Sequence, residues 1–206
     1  MNVYDKYILP YLIHLAGQSQ IAMAERRKIV PQASGVVLEV GAGSGLNIPL
    51  YGPAVTTLYA LDPSRELRNM AQTRARRAPF PVTYLQASAE QIPLPDGSVD
   101  TVLATWTFCT IPDPARALQE ITRVLKPAGI LLFIEHGRSP DHSVAAWQHR
   151  LNPIWKRLAG GCHLNRRIDE LLKEAGFRIA EIHQGYQGSP KFLTYLSAGA
   201  AKPPTR

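Results

Sequence analysis

Residues 37–47, which read VLEVGAGSGLN, combine an acidic side chain with bare backbone. The apolar run contains Glu39 near its end, and Gly41, Gly43 and Gly45 follow at every second position. Glycine costs chain entropy on folding, so a cluster directly after a strand-like run indicates a loop that turns tightly or lets a ligand approach the main chain. The pattern therefore predicts a ligand-binding loop at the end of a strand.

Two phosphate-binding patterns fit this loop poorly. The dinucleotide fingerprint needs a third glycine, so that the following helix packs closely on the strand, and Leu46 stands at that position. A Walker loop needs a lysine followed by serine or threonine, and none comes directly after Gly45. The Glu39 carboxylate would repel a pyrophosphate but attract an ammonium or sulfonium group. We therefore expect a ligand that is positively charged near Glu39, and a nicotinamide oxidoreductase is disfavoured.

Polar side chains at three further strand ends indicate a nucleoside. Asp62 follows the next apolar run, where a carboxylate can accept both hydrogens of a ribose diol. Ser88 follows the third run and can face an adenine edge, and Trp106 follows the fourth. Each has an ordinary alternative, since Asp62 before Pro63 could start a helical turn and Ser88 could be a simple loop hydroxyl. Their order along the chain favours one nucleoside site at one edge of a sheet.

Motifs in consecutive order resemble a known family. EVGAGSG, ALDPS, ASAEQIPLPDGSVDTVLA and ALQEITRVLKPAGILLFIEH, which run from about residue 36 to 136, resemble the class I S-adenosylmethionine-dependent methyltransferases. More narrowly, LEVGAGSGLNIPLY, LDPS, TFCTI, FIEHG and NPIWKRLAGGCHLNR resemble the branch that includes the animal alkyl-thiol methyltransferases. The resemblance implies S-adenosylmethionine as the cofactor and S-adenosylhomocysteine as the product.

The resemblance also implies which residues contact the cofactor. Those of the first loop would surround its methionine part, those after the second strand its ribose, and those after the third and fourth strands its adenine and the pocket floor. The set is Glu39, Gly41, Ala42, Gly43, Gly45, Asp62, Pro63, Ser88, Ala89, Thr105 and Trp106.

The acceptor is expected to be a small, rather apolar molecule, with a thiol favoured by the resemblance. Only a few per cent of a thiol is ionised at neutral pH, so a base would help, and His136 directly follows the fifth strand. His136 could equally be a structural residue that fixes its loop. No metal is expected, because Cys162-His163 has no second pair in sequence. The expected acceptor pocket comprises Tyr7, Phe108, Cys109, Trp147, Trp155 and His163.

Other functions stay open at this point. A phosphatidylethanolamine-type N-methyltransferase shares a similar glycine run, and other small-molecule N- or O-methyltransferases are further alternatives. A protein that binds S-adenosylmethionine without turning it over would carry the same cofactor motifs.

The elements that must position these residues alternate between strands and helices, which predicts an α/β fold. The resemblance implies a Rossmann-like class I methyltransferase fold, with a seven-stranded, mostly parallel sheet, an antiparallel last strand and helices on both faces. The predicted strands span 36–40, 57–61, 82–87, 99–104, 130–135, 178–184 and 192–197, and the predicted helices span 64–77, 114–125 and 166–175.

One domain over residues 1–206 is expected. Its parts would be an N-terminal helical cap at 1–33, a cofactor-binding core at 34–136, a substrate lid at 137–165, and a C-terminal helix with strands at 166–199.

The composition of the chain disfavours some classes of partner. Its 206 residues carry a net charge of +7, but the basic residues are dispersed, which disfavours nucleic acid. Two cysteines fit a reducing compartment, and no apolar stretch approaches the roughly 20 residues that span a bilayer. We therefore expect a cytoplasmic protein with at most peripheral membrane contact, of oligomeric state left open.

Overall fold

The computed structural model describes residues 3–205. Seven strands are present among them: β1 Gly35–Val40, β2 Val55–Leu61, β3 Val82–Leu85, β4 Val99–Thr105, β5 Leu125–His136, β6 Arg178–Tyr186 and β7 Tyr195–Lys202. The helices are α1 Val3–Tyr7, α2 Leu9–Gly17, α3 Gln20–Ile29, α4 Arg65–Arg76, α5 Pro114–Val124, α6 His142–Leu158, α7 Ile168–Glu174 and α8 Lys191–Thr194.

The strands form one sheet with the order β3-β2-β1-β4-β5-β7-β6. β1 pairs in parallel with β2 and β4, so Glu39 lies between Ala60 and Leu103 in the middle of the sheet. Only β7 runs against its neighbours β5 and β6. The predicted fold class is confirmed, and the carboxyl ends of β1, β2 and β4 meet at one edge.

The last strand is present, but its bounds differ from the predicted 192–197. Phe192 lies in the short helix α8, and β7 continues through Ala198, Gly199 and Ala200 to Lys202. Small residues are weak strand formers, so the apolar residues before them were chosen as the strand. Here they are required by close packing, because a Cβ on Gly199 would overlap the Glu181 carbonyl oxygen of β6.

Local sequence explains the ends of the two crossover helices. Ser64 Oγ accepts the Leu67 N–H at the start of α4, and Asp113 accepts the Arg116 N–H at the start of α5, which are ordinary N-caps. The buried face of α5 packs on β4 and β5 through Leu118 and related residues. Helices α4 and α5 therefore pack against the sheet next to the edge where its carboxyl ends meet.

The predicted lid at 137–165 is largely one helix, α6, which begins after the Asp141 cap. Only its end and the following loop, at Ala159 and Cys162, reach a cavity at the carboxyl edge of the sheet. Most of the cover comes instead from α2 and α3, which lie across the carboxyl edge of the sheet. Among residues 3–205, no helix is both long and apolar enough to cross a membrane.

Candidate cofactor and acceptor site

A cavity of about 610 Å³ lies at the carboxyl edge of β1, β2, β4 and β5, beneath α2 and α3. Open α/β sheets place ligands at this edge. Most residues predicted to bind the cofactor lie on its wall, together with two predicted for the acceptor. They are Glu39, Gly41, Ala42, Gly43, Asp62, Pro63, Ser88, Ala89, Thr105, Trp106, Cys109 and His136.

The three loop glycines all have positive φ, but each is needed for a different reason. A Cβ on Gly41 would overlap the Thr107 side chain, and a Cβ on Gly45 would overlap Ala71 of α4. Gly45 therefore supports the packing of the loop and does not line the cavity, contrary to its predicted role. Gly43 faces open space, where only the Gly41 carbonyl comes within 4 Å of a Cβ. That space is part of the ligand cavity.

Asp62 holds the glycine loop from the end of β2. Its Oδ2 accepts the Gly43 N–H at 2.8 Å, and its Oδ1 accepts the Ser64 N–H at 2.8 Å. Burial raises the pKa of this carboxyl group, although the two backbone donors oppose the effect. Each oxygen keeps a free lone pair, so the carboxylate can start the α4 turn and still accept a ligand hydroxyl.

Glu39 is fully buried under the cavity floor. Its two oxygens accept hydrogen bonds of 2.8 Å from Asn47 Nδ2 and Tyr51 Oη. Burial raises the pKa of Glu39 to about 7, partly offset by these two hydrogen bonds and by the charge of Arg26. A cation in the cavity would therefore stabilise the ionised form strongly.

Two cavity-lining side chains have buried polar atoms without a hydrogen-bond partner among the described residues: Arg26, at Nε and Nη1, and Asn47, at Oδ1. Such orphaned groups are rare and indicate a missing ligand or water. The guanidinium can bind a carboxylate, and Asn47 with Glu39 can accept from an ammonium group. The site therefore fits the charged amino-acid end of S-adenosylmethionine.

The predicted floor residues take strained or buried positions. Trp106 has φ 52°, which is uncommon for a large side chain and often found at ligand sites. The backbone N–H of Trp106 donates to the Ile134 carbonyl at 2.7 Å, and the Arg26 guanidinium lies 4.7 Å from the Trp106 ring centroid. Thr105 Oγ1 accepts from Asn47 Nδ2 at 3.1 Å. Trp106 and Thr105 thus help to fix Arg26 and Asn47.

Ser88 follows β3, the strand at one edge of the sheet, and is exposed. Its hydroxyl donates to Glu90 Oε2 at 2.8 Å and accepts the Glu90 N–H at 3.2 Å. The hydroxyl is thus used within its own loop, as in the ordinary alternative for this residue. Ala89 next to it is buried and lines the cavity.

A second part of the cavity wall brings together three side chains from distant parts of the chain. Cys109 follows β4, His136 ends β5, and Cys162 follows α6. His136 Nε2 lies 3.1 Å from Cys162 Sγ, and the three ligand-type atoms all lie within 4.8 Å of one another. The sequence offers no second pair beside Cys162-His163, and the fold instead brings ligand-type side chains to Cys162 from other elements. Cys109, His136 and Cys162 together form the cysteine–histidine cluster.

The three side chains perturb one another's ionisation. Interaction with Cys109 first, and then with His136, holds the pKa of the Cys162 thiol well below its usual range. Interaction with Cys162, together with burial, raises the pKa of Cys109. Burial alone would lower the pKa of His136, but Cys162 and the nearby Glu135 charge raise it. One thiol of the pair is therefore easier to ionise than the other.

Glu135 and Arg166 fix the turn that carries Cys109. The Glu135 carboxylate accepts the N–H groups of residues 107, 108 and 109, at 2.6, 2.8 and 3.2 Å. Arg166 Nη1 donates to the Phe108 carbonyl and, at 2.7 Å, to the Ile111 carbonyl. The two charges enclose the same turn, so the cysteine position is rigidly set.

Five residues predicted for the acceptor pocket do not line the cavity. Tyr7 and Trp147 point outward, with 58% and 55% of their surface exposed. Phe108 is buried in the core beside α5. Trp155 has its Nε1 buried behind Cys162, and His163 uses its backbone and ring to hold the Cys109 carbonyl at 2.8 and 3.1 Å. Aromatic character alone did not reveal which side of each helix faces inward.

Sequence reasoning missed several residues that the fold brings to the site. Arg26, Asn47 and Cys162 were not among the residues predicted for the site. The spacing of Asn47, two positions after Gly45, was a usable signal, because a polar side chain there can turn back toward Glu39. Nothing in the sequence showed that Arg26 is 7% exposed and faces the cavity.

The chain matches the family model described as a methyltransferase domain over residues 38–133. It is 35% identical over 161 residues to a thiol S-methyltransferase of Rattus norvegicus, covering 75% of this chain and 64% of that protein. It is 33% identical over 211 residues to a human thiol S-methyltransferase, covering 94% and 83% respectively. The matched part is thus just under two thirds of the rat protein.

A relative named for a different acceptor is also similar to this chain. The phosphatidylethanolamine N-methyltransferase of Cereibacter sphaeroides is 30% identical over 149 residues, covering 71% of this chain and 72% of that one.

Among solved structures, a putative methyltransferase of Bacillus halodurans superimposes with a TM-score of 0.70 at 21% identity, covering 89% of this chain and 99% of that one. This likeness concerns the fold. The family model and the human relative, which aligns over nearly the whole chain, identify a methyltransferase, and S-adenosylmethionine is its cofactor. The chain therefore belongs to the class I S-adenosylmethionine-dependent methyltransferases.

Proposed function

We propose that the protein methylates the sulfur of a small, apolar thiol. The observation that carries this proposal is the composition of one cavity wall. The loop from Glu39 to Gly45 offers charged and backbone groups for the cofactor, while the cysteine–histidine cluster opens into the same, mainly apolar space. The similarity to two thiol S-methyltransferases supports the same acceptor class.

The cofactor half of the cavity is proposed to bind and align S-adenosylmethionine. Arg26 would hold its carboxylate, Glu39 and Asn47 its ammonium group, and Asp62 its ribose hydroxyls. The backbone around Ala89 would face adenine. When bound, S-adenosylmethionine supplies a methyl group on a positively charged sulfur, and S-adenosylhomocysteine is the product. Alignment of two reactants in such a site is worth about 7–11 kcal/mol in well-oriented systems.

The acceptor half is proposed to exclude water and promote loss of the thiol proton. Ile13 and Ile21 of the N-terminal helices close the cavity from above, and His14 Nδ1 joins Ser44 Oγ of the glycine loop at 2.7 Å. His136 faces the cavity next to Cys162 and is the residue proposed to promote thiolate formation. In this proposal the chain is one domain, in which α2 and α3 form most of the cover over the cavity.

A chain-length-matched acceptor panel tests the proposal. The purified protein is incubated with S-adenosylmethionine and 1-hexanethiol, 1-hexanol or hexylamine, and S-adenosylhomocysteine and the methylated product are both quantified. The proposal expects the thioether to form much faster than the ether or the methylamine. Preferential methylation of hexylamine would show that a thiol is the wrong acceptor. Tight cofactor binding without S-adenosylhomocysteine from any acceptor would favour a non-catalytic binding protein.

A lipid amine is the second candidate acceptor, and one surface feature favours it. The helices α1 and α2 expose several large apolar side chains, and the whole chain carries a net charge of +7, which suits an anionic membrane surface. The Cereibacter sphaeroides relative supports this alternative. Vesicles that contain phosphatidylethanolamine and an anionic lipid provide the test. Methylated headgroups, with hexanethiol inert, would replace the thiol proposal by this one.

A further inference from the structure

The cysteine–histidine cluster has the donor set and the spacing of a metal site. Cys109 and Cys162 offer thiolate sulfurs, and His136 offers Nε2, with all three atoms within 4.8 Å of one another. Tetrahedral zinc bonds of about 2.3 Å to sulfur and 2.0–2.1 Å to nitrogen place ligand atoms roughly 3.5–3.8 Å apart. The 3.1 Å between His136 Nε2 and Cys162 Sγ needs a small shift to reach that range.

The surroundings hold the donors in place without a metal. The His163 N–H donates to the Cys109 carbonyl at 2.8 Å, which ties the loop of one cysteine to the loop of the other. The Glu135 carboxylate fixes the turn of Cys109 through the N–H of that residue. Preorganised donors of this kind lower the cost of forming a metal site.

Charge and hydrogen bonding also suit a divalent cation. Two thiolates and a neutral imidazole together carry a charge of −2, which balances the +2 of the metal. The occupied site would therefore have no net charge. The Glu135 carboxyl group and the Arg166 guanidinium both bind the backbone of the Cys109 turn. The Trp155 Nε1–H is buried beside Cys162 and can donate to a metal-bound sulfur.

The position of the cluster decides the type of site. Structural zinc sites have four protein ligands, whereas sites that act on a substrate keep one position open. Among residues 3–205 the cluster comprises three such ligands, and each of the three lines the cofactor cavity. A fourth position would face the space assigned to the acceptor.

We propose that Cys109, His136 and Cys162 bind a divalent cation of the zinc class, whose open position takes the acceptor thiol as a thiolate. The inference rests on the proposed thiol methylation and specifies how the acceptor is held. On coordination the S–H bond breaks, its proton passes to solvent and a sulfur–metal bond forms, with no change in oxidation state. Soft thiolate ligands and an imidazole select zinc over magnesium or calcium.

Cobalt substitution of the full chain tests the metal site directly. Purified protein, stripped of metal with a chelator and kept reduced, is titrated with Co²⁺ and then with Zn²⁺ in competition. The account expects one Co²⁺ per chain with sulfur-to-cobalt charge-transfer absorption, which Zn²⁺ abolishes. Absence of this absorption in folded, reduced wild-type protein overturns the inference without any variant.

Variants then assign the ligands. Cys109→Ser and Cys162→Ser should each weaken Co²⁺ binding by at least about 100-fold, beyond the 10–100-fold typical of losing an outer-shell partner. The control is His149→Gln, since His149 is exposed outside the cluster and should leave binding unchanged. Thermal unfolding of each variant excludes loss of fold as the cause. Full Co²⁺ binding by both serine variants would overturn the assignment.

Adding the acceptor separates this inference from the proposed function. Hexanethiol should shift the Co²⁺ spectrum, whereas hexanol should not. Undiminished thiol methylation by metal-free protein would overturn the acceptor role of the metal and leave thiol methylation standing. A stoichiometric Co²⁺ site in a protein that methylates no thiol would overturn the acceptor role and the proposed function, but not the binding of metal.

Discussion

At the scale of single residues, Glu39 shows how a buried carboxylate can report on its ligand. It has two neutral hydrogen-bond donors at 2.8 Å, and burial raises its pKa to about 7 in the cofactor-free protein. The cost of ionising it without a cation is therefore appreciable. An ammonium group beside it would lower that pKa again.

Cofactor affinity should consequently rise with pH between about 5.5 and 7.5. Over this range Glu39 loses its proton, while an α-amino group, with a pKa of about 7.7–8.0, stays charged. The sign follows because the cation binds more tightly to the ionised carboxylate, so binding releases a proton below pH 7. Calorimetry in buffers of different ionisation enthalpy measures both quantities. Glu39→Gln should remove the pH dependence, and an unchanged slope would contradict the role of Glu39.

Gly43 and Gly97 form a matched pair for testing the glycine loop. Both have positive φ, at 54° and 58°, and neither has a close neighbour that a Cβ would overlap. Alanine at either site should cost similar backbone strain, but only Gly43 faces the cavity. Gly43→Ala should weaken S-adenosylmethionine binding by about 1–3 kcal/mol, as in an overpacked site, while Gly97→Ala leaves it unchanged. Equal affinities in calorimetry would mean that the cofactor does not approach Gly43.

His136→Ala should lose methylation of hexanethiol most strongly below the pKa of the free thiol and recover part of it at high pH. Without His136, solvent must supply the thiolate, and alkaline solvent supplies more of it. The kcat profile from pH 6.5 to 10 measures the effect, with His149→Gln as the control. Loss by one constant factor at every pH would make His136 purely structural.

At the scale of elements, the predicted bounds were most reliable where an apolar run ends in turn residues, and least reliable for β5 and β7. β1, β2 and β4 were placed within two residues because their apolar runs end in turn residues. β7 was misplaced because its fit depends on β6, and sequence periodicity carries no information on how closely two strands approach. Gly199 stands between Phe133 and Ile182 and permits that approach.

Gly199→Ala should therefore lower the free energy of unfolding by about 1–3 kcal/mol, because its Cβ would overlap the Glu181 carbonyl. Gly185→Ala in the adjoining strand is the control, since a Cβ there meets nothing within 4 Å. Its effect should stay within about 0.5 kcal/mol. Urea denaturation of both variants compares them. Equal stabilities would show that β6 and β7 do not pack as described.

At the scale of the whole molecule, the site joins residues that lie far apart in sequence. The cofactor residues could be predicted because each follows its own strand, and parallel strands deliver their ends to one edge. The cysteine–histidine cluster and Arg26 could not, because Arg26 lies on α3 and Cys162 in the loop after α6, and the docking of both depends on tertiary packing. The exposed sides of Tyr7 and Trp147 were unpredictable for the same reason.

The central claim is that this fold delivers a methyl group to the sulfur of a small apolar thiol in one cavity. Wild-type protein, Gly97→Ala and Gly43→Ala are each incubated with S-adenosylmethionine that carries an isotopically labelled methyl group and with 1-hexanethiol. Mass spectrometry then follows the label. The account predicts labelled methyl hexyl sulfide in equal amount to S-adenosylhomocysteine, at similar rates for wild type and Gly97→Ala and at a much lower rate for Gly43→Ala at limiting cofactor. Absence of label from the thioether with wild-type protein that binds the cofactor would contradict the account.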